Sequence, residues 1–132
     1  MTITHLNPES MHSNPAFSQG VLLDGEGRLL VVGGQNGVDA QGNIVSDDLG
    51  EQTVQAFRNL ITVLESAGAS QTDVAKLTIY MVPGGDVNAG FAAAQEVWGQ
   101  HATAITVIQA TPGRPDALVE IEALAFVGND EH

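Results

Sequence analysis

Residues 49–82 read LGEQTVQAFRNLITVLESAGASQTDVAKLTIYMV, and the apolar period changes partway through. In the first half Val54, Phe57, Leu60, Ile61 and Leu64 recur at helical spacing, with Glu51, Gln55, Arg58, Thr62 and Glu65 on the other side. That pattern predicts an amphipathic helix over Leu49–Ala67. Ser46 or Asp47 is placed to cap its start, and Gly68 suits the left-handed position that ends it. From Val74 to Val82 the period drops to two. Leu77, Ile79 and Met81 fall on one face and Lys76, Thr78 and Tyr80 on the other, as in a half-buried strand.

Downstream, Pro83-Gly84-Gly85 breaks the strand, and Asp86 caps a second helix running to about Gln100. Its inner face carries Val87, Phe91, Ala94 and Trp98. Thr103–Gln109 is β-rich, Thr111–Asp116 is a turn, Leu118–Phe126 is a final strand, and an acidic tail occupies 128–132. Upstream, strands over Phe17–Leu23 and Arg28–Gly33 flank the turn signal Asp24-Gly25-Glu26-Gly27 and suggest a hairpin. Gly34–Asp48 reads as a loop, and residues 1–15 as an extended N-terminal arm. The order β-β-α-β-α-β-β, within one domain over 1–132, predicts an α+β protein with its helices on one face of a mixed sheet. The other face still carries apolar residues and calls for another subunit.

The composition narrows the functions. The chain has 132 residues and no cysteine, which excludes a thiolate nucleophile and a Cys-based zinc site. Four basic residues face 16 acidic ones, a formal net charge of -12, and Arg28, Arg58, Lys76 and Arg114 are scattered. Phosphate neutralisation needs clustered cations, so nucleic acid and anionic membranes are poor partners. The longest apolar run, Leu29–Val32, is far short of the ~20 residues of a membrane span. With no basic leader pattern at the start, a cytoplasmic location is expected.

Chemistry-bearing residues are few. Glu120 and Glu122 are two apart on the final strand, so their carboxylates project from one sheet face. Carboxylates at a strand centre are costly unless hydrogen-bonded or engaged in a reaction, and a general acid–base role competes with a solvated or backbone-bonded one. His5, His12, His101 and His132 lack the spacing of a metal site, and no metal is assigned. Ser18 does not sit in a nucleophile elbow. Gly33-Gly34 has neither the spacing nor the lysine of a phosphate loop; adjacent glycines at a strand end permit close approach of a ligand or a second chain.

Five ordered segments resemble the YjgF/Rid (reactive intermediate deaminase) family over nearly the whole chain: Asn14–Gly20, Val32–Gln35, Glu51–Ser70, Asp73–Tyr80 and Leu118–Ala123. The resemblance implies a chorismate-mutase-like fold, a homotrimer with ligand clefts between subunits, and cofactor-free hydrolysis of enamines and imines such as 2-aminoacrylate to a 2-keto acid and ammonia. Such a substrate carboxylate calls for a bidentate guanidinium. The family's Pro-Ala-Arg-Ser/Thr motif falls on Ala102-Thr103-Ala104-Ile105, with Ala104 at the arginine position. The resemblance further maps ligand-binding positions onto Phe17 (a tyrosine in the family motif), Gly34, Gln35, Gln95 (an asparagine), Ile105 and Thr106, and the catalytic carboxylate onto Glu120. Arg114, in the turn before the last strand, is the candidate substitute cation. Two functions remain: a small-molecule-binding homologue without 2-aminoacrylate deaminase activity, or a deaminase for another substrate with Glu120 orienting water. An RNA-directed role is disfavoured by the charge.

Overall fold

The computed structural model describes residues 2–128. Strands β1 (Thr2–Leu6), β2 (Gly20–Asp24) and β3 (Gly27–Gln35) precede helix α1 (Leu49–Ser66). A 3-10 turn (Gln71–Asp73), β4 (Val74–Met81), α2 (Val87–Val97), β5 (Ala104–Gln109) and β6 (Val119–Gly128) follow. The main sheet runs β3-β6-β4-β5, with β6 antiparallel to both neighbours and β4 parallel to β5. Both helices cover one of its faces, which is the predicted α+β layering.

Local chemistry explains α1. Asp48, rather than Ser46 or Asp47, is its N-cap and accepts from the Glu51 amide at 2.9 Å; Ser46 Oγ instead accepts from the Asp48 amide at 3.1 Å. At the other end Gly68 has φ +74, and the amides of Gly68 and Ala69 donate back to Glu65 and Leu64 at 3.0 and 2.9 Å. These paired bonds are the Schellman arrangement that satisfies the last carbonyls of a helix. Phe57, Leu60 and Leu64 are fully buried against Leu77, Val119 and Ile121 of the sheet.

Three expectations are corrected. Thr2–Leu6 is a strand paired antiparallel with β2, Ile3 opposite Leu23, so the N-terminal arm is ordered as β-structure in its first part. Among the described residues β2 pairs with β1 and β3 with β6, so the expected hairpin does not form. The turn lies where Gly25 (φ +87) permits it, but the chain changes sheets there, because pairing with β6 buries Val32 against the core beneath α1. Finally, α2 ends at Val97, and Phe91 is 45% exposed rather than inward. Gly90 is the buried residue of that turn, where a Cβ would meet the flexible end of Met81, 2.7 Å from its Cε. Of the acidic tail, only Gly128 falls within the described residues.

One buried amide joins the parts. Gln52 is 0% exposed, and its Nε2 donates to the carbonyls of Ser46 (2.8 Å) and Asp116 (3.1 Å) while its Oε1 accepts from the Leu118 amide (2.8 Å). It therefore fixes the start of α1 to the turn that feeds β6. Gly37 lies against the same residue, since a Cβ there would come within 2.6 Å of the Gln52 backbone. Gln52→Leu keeps the volume but removes the side-chain partner of three part-buried backbone groups and empties a fully buried polar position of its hydrogen bonds. A loss of about 2–4 kcal/mol in urea unfolding is expected, well above that of an exposed Gln substitution.

Candidate functional site

Because β6 is central and alternates strictly, it sorts its residues between two surfaces. Val119, Ile121, Ala123, Ala125 and Val127 are buried under the helices; Glu120, Glu122, Leu124 and Phe126 face the other way. On β4 the open face carries Lys76, Thr78 and Tyr80, and the parallel register sets Ala104, Thr106 and Ile108 beside them. This face is uncovered in the single chain. Leu29, Val31 and Leu124 form an apolar patch there, at 61%, 65% and 40% exposure.

Glu120 is seated by the bulge in β3. The ladder slips between Val32 and Gln35, and a side chain at Gly34 would overlap the Glu120 carboxylate. Glycine is thus required for the carboxylate to lie against the strand, and what approaches the Gly33-Gly34 pair here is a side chain of the same chain rather than the expected ligand or second copy. Gln35 Nε2 donates to the Gly33 carbonyl at 3.1 Å and closes the bulge. Asn36 Nδ2 donates to Val119 O at 3.0 Å and reaches Glu120 Oε1 at 3.5 Å. The carboxylate borders a groove of about 360 Å³ formed with Tyr80, Glu122 and the 110–113 turn.

Glu122 accepts a short hydrogen bond from the Tyr80 hydroxyl. That bond first, then partial burial and the charges of Glu122 and Glu120, raises the Tyr80 pKa above its ordinary 10.0. One row along, Lys76 Nζ donates to Thr106 Oγ1 at 2.5 Å, and Lys76 pairs in register with Ala104. A cation therefore stands beside the position where the resemblance places an arginine. It is a point charge, without the planar fork that grips a carboxylate through two bonds. Arg114 is exposed, and its guanidinium donates to the Gly42 carbonyl on the loop before α1.

The remaining predicted residues lie on the helix-covered side. Ile105 alternates with Ala104 and packs on the core. Gln95 is exposed on α2 and borders a narrow cavity of about 50 Å³ between α2 and the inner faces of β4 and β5. Phe17 is half-buried, edge-on to His12 with ring centroids 6.2 Å apart. The Ser18 amide donates to Thr103 O at 3.2 Å and so brings Phe17 to the start of β5. Within one chain, then, Glu120, Gly34, Ala104 and Thr106 lie on one side of the sheet, and Ile105 and Gln95 on the other. Lys76, Tyr80, Asn36 and Thr103 escaped the sequence reading. Alternation had placed Lys76 and Tyr80 on the polar face, but their partners are set by strand order.

Among the described residues no group of three His, Asp or Glu side chains is disposed to hold a metal, and no helix is long and apolar enough to cross a membrane.

With this arrangement, the chain belongs to the YjgF/Rid family: residues 8–127 match the family model described as Endoribonuclease L-PSP. It is 35% identical over 115 residues to a RutC family protein of Pyrococcus abyssi, covering 83% of this chain and 85% of the relative. It is 33% identical over 119 residues to a human 2-iminobutanoate/2-iminopropanoate deaminase, covering 85% and 80%. Among solved structures, the Rid family protein YyfB of Yersinia pestis superposes with a TM-score of 0.79 at 34% identity, covering 95% of this chain and 98% of that one. The fold is accordingly the chorismate-mutase-like α+β fold of that family.

Tyr80 is the sole tyrosine, so its ionisation can be followed by ultraviolet absorbance without interference. The midpoint is expected above 10.0, and Glu122→Gln should lower it, because the acceptor charge is removed. The sign for stability follows: a pKa raised on folding contributes fully below 10.0 and is lost as pH climbs through the folded midpoint. A wild-type midpoint at or below that of free tyrosine would contradict the hydrogen bond.

Proposed function

We propose that this protein binds a small, mainly apolar molecule in a cleft completed between copies of the chain, and that it does not hydrolyse 2-aminoacrylate. The observation that carries the reading is the start of β5. Ala104, Ile105 and Thr106 supply no charged side chain, and the adjacent Lys76 is already bonded to Thr106. A small anionic imine would lack the bidentate partner that orients it and stabilises charge in the transition state. The neighbouring cavity has walls of Phe57, Leu77, Ile79, Trp98 and Val107, which suit hydrocarbon.

Assembly as a homotrimer is part of the proposal. It is supported by the exposed Leu29, Val31 and Leu124 and by the division of the site residues between two sheet faces, which a second copy would reunite. Light scattering should return three times the 13.7 kDa of the chain. With freshly generated 2-aminoacrylate or 2-iminobutanoate, release of keto acid is expected to stay at the buffer rate. Turnover well above buffer would overturn the reading.

A second reading is favoured by the seating of Glu120 against Gly34 with the Asn36 amide beside it. There the carboxylate orients a water that adds to the imine carbon of a different substrate, and the C–N bond breaks with loss of ammonia. In that case Glu120→Gln abolishes turnover of whichever imine is accepted while the oligomer persists. An unchanged rate excludes the role.

A further inference from the structure

Among the asparagines of this chain, Asn36 alone is followed by glycine. Asn7 and Asn14 precede prolines, and Asn43 and Asn59 precede the branched side chains of Ile44 and Leu60. The neighbour matters because the backbone nitrogen of the next residue can attack the Cγ of an asparagine side chain. Proline has no amide hydrogen to lose, a branched side chain crowds the approach, and glycine leaves it open. Asn36-Gly37 is therefore the asparagine pair of highest intrinsic reactivity.

The fold holds this pair still. Three successive carbonyls are engaged: those of Asn36 and Val38 accept from Asn59 Nδ2 of α1 at 3.1 and 3.0 Å, and that of Gly37 accepts from the Val45 amide at 3.0 Å. The Asn36 carbonyl also accepts from the Val38 amide at 2.8 Å, which closes a tight turn centred on Gly37. Gln55 Nε2 donates to Asn59 Oδ1 at 2.9 Å and so fixes which way the Asn59 amide faces. Gly37 itself is buried against Gln52, and the Asn36 side chain is tied to β6 through Val119 O and Glu120. Ring closure between Gly37 N and Asn36 Cγ requires backbone and side chain to rotate together, and these bonds resist both.

We propose that Asn36 is a deamidation site whose reactivity is held down by Asn59. In the reaction the Gly37 nitrogen loses its proton and bonds to Asn36 Cγ, the Cγ–Nδ2 bond breaks, and ammonia leaves with that proton. Water then opens the succinimide at either carbonyl and gives aspartate or isoaspartate, with no oxidant or cofactor. The product carries a charge where the amide was a donor. A carboxylate at 36 meets Val119 O and Glu120 with no proton to share. In isoaspartate the main chain is also one carbon longer, just beyond the bulge that seats Glu120. The modification thus loosens the acidic site from within the chain, and the clamp from α1 sets how fast that happens.

Peptide mapping by mass spectrometry reads the site, with fragment ions separating Asn36 from Asn43. In the urea-unfolded chain, held in mildly alkaline buffer, Asn36 is expected to deamidate well ahead of Asn43; equal rates would remove the site. In the folded protein, Asn59→Asp keeps the size and the bond from Gln55 but has nothing to donate. Its deamidation at Asn36 should run about tenfold faster than in wild type, as for local opening eased by the loss of two ordinary hydrogen bonds. Asp48→Ala removes the α1 cap, leaves the clamp intact and controls for general loosening. No acceleration in Asn59→Asp, or the same acceleration in Asp48→Ala, would overturn the role of Asn59. Asn36→Asp, the product itself, should melt below wild type, and an unchanged midpoint would overturn its effect on the seat of Glu120.

Discussion

The Gln52 amide is the constraint from which the rest of the arrangement follows. Its three hydrogen bonds hold the turn at 116–118 against the first turn of α1, and that turn decides where β6 enters the sheet. Once β6 is central, antiparallel to β3 on one side and β4 on the other, its alternation leaves no choice: Val119, Ile121 and Ala123 go under the helices, Glu120 and Glu122 to the open face. A register slip by one residue would bury both carboxylates and expose the core. A polar side chain in the interior is tolerated because every one of its groups is paired, and it specifies the register that positions the acidic pair.

The open face acquires its character from this placement. Gly34 yields space to Glu120, Tyr80 donates to Glu122, and Lys76 lies on Thr106, so each charged group rests on a neighbour from another strand. The parallel pairing of β4 with β5 brings Lys76 level with Ala104 and also sends Ile105 to the opposite side. The residues singled out by the resemblance thus lie on both faces of one sheet, and the exposed Val31 and Leu124 stand on the face that neither helix covers.

Legibility followed the range of the interactions. Helix α1 was readable almost to the residue, because its apolar period and the glycine at 68 act within a few positions. β4 was readable for the same reason, and Glu120 and Glu122 were placed on a shared face by period alone. The partner of β3 was not readable, since its ladder with β6 joins opposite ends of the chain and competes with a nearby turn that favoured a local hairpin. Phe91 misled for a subtler reason: its spacing matches an inward stripe, but the buried residue of that turn is Gly90, and Phe91 is left at the rim.

What the amino-acid order determined by itself was the class of architecture, the kinship with Rid proteins, an acidic chain whose four cations are scattered, and the want of a guanidinium at the start of β5. These depend on residue identity and short-range periodicity. Only the tertiary structure decided that Lys76 stands beside Ala104, that the residues singled out by the resemblance divide between two sides of one sheet, and that Thr103 is buried at the start of β5. Those facts arise from strand order and from a backbone turn at Gly99 and Ala102, where distant segments meet at distances that no local pattern encodes.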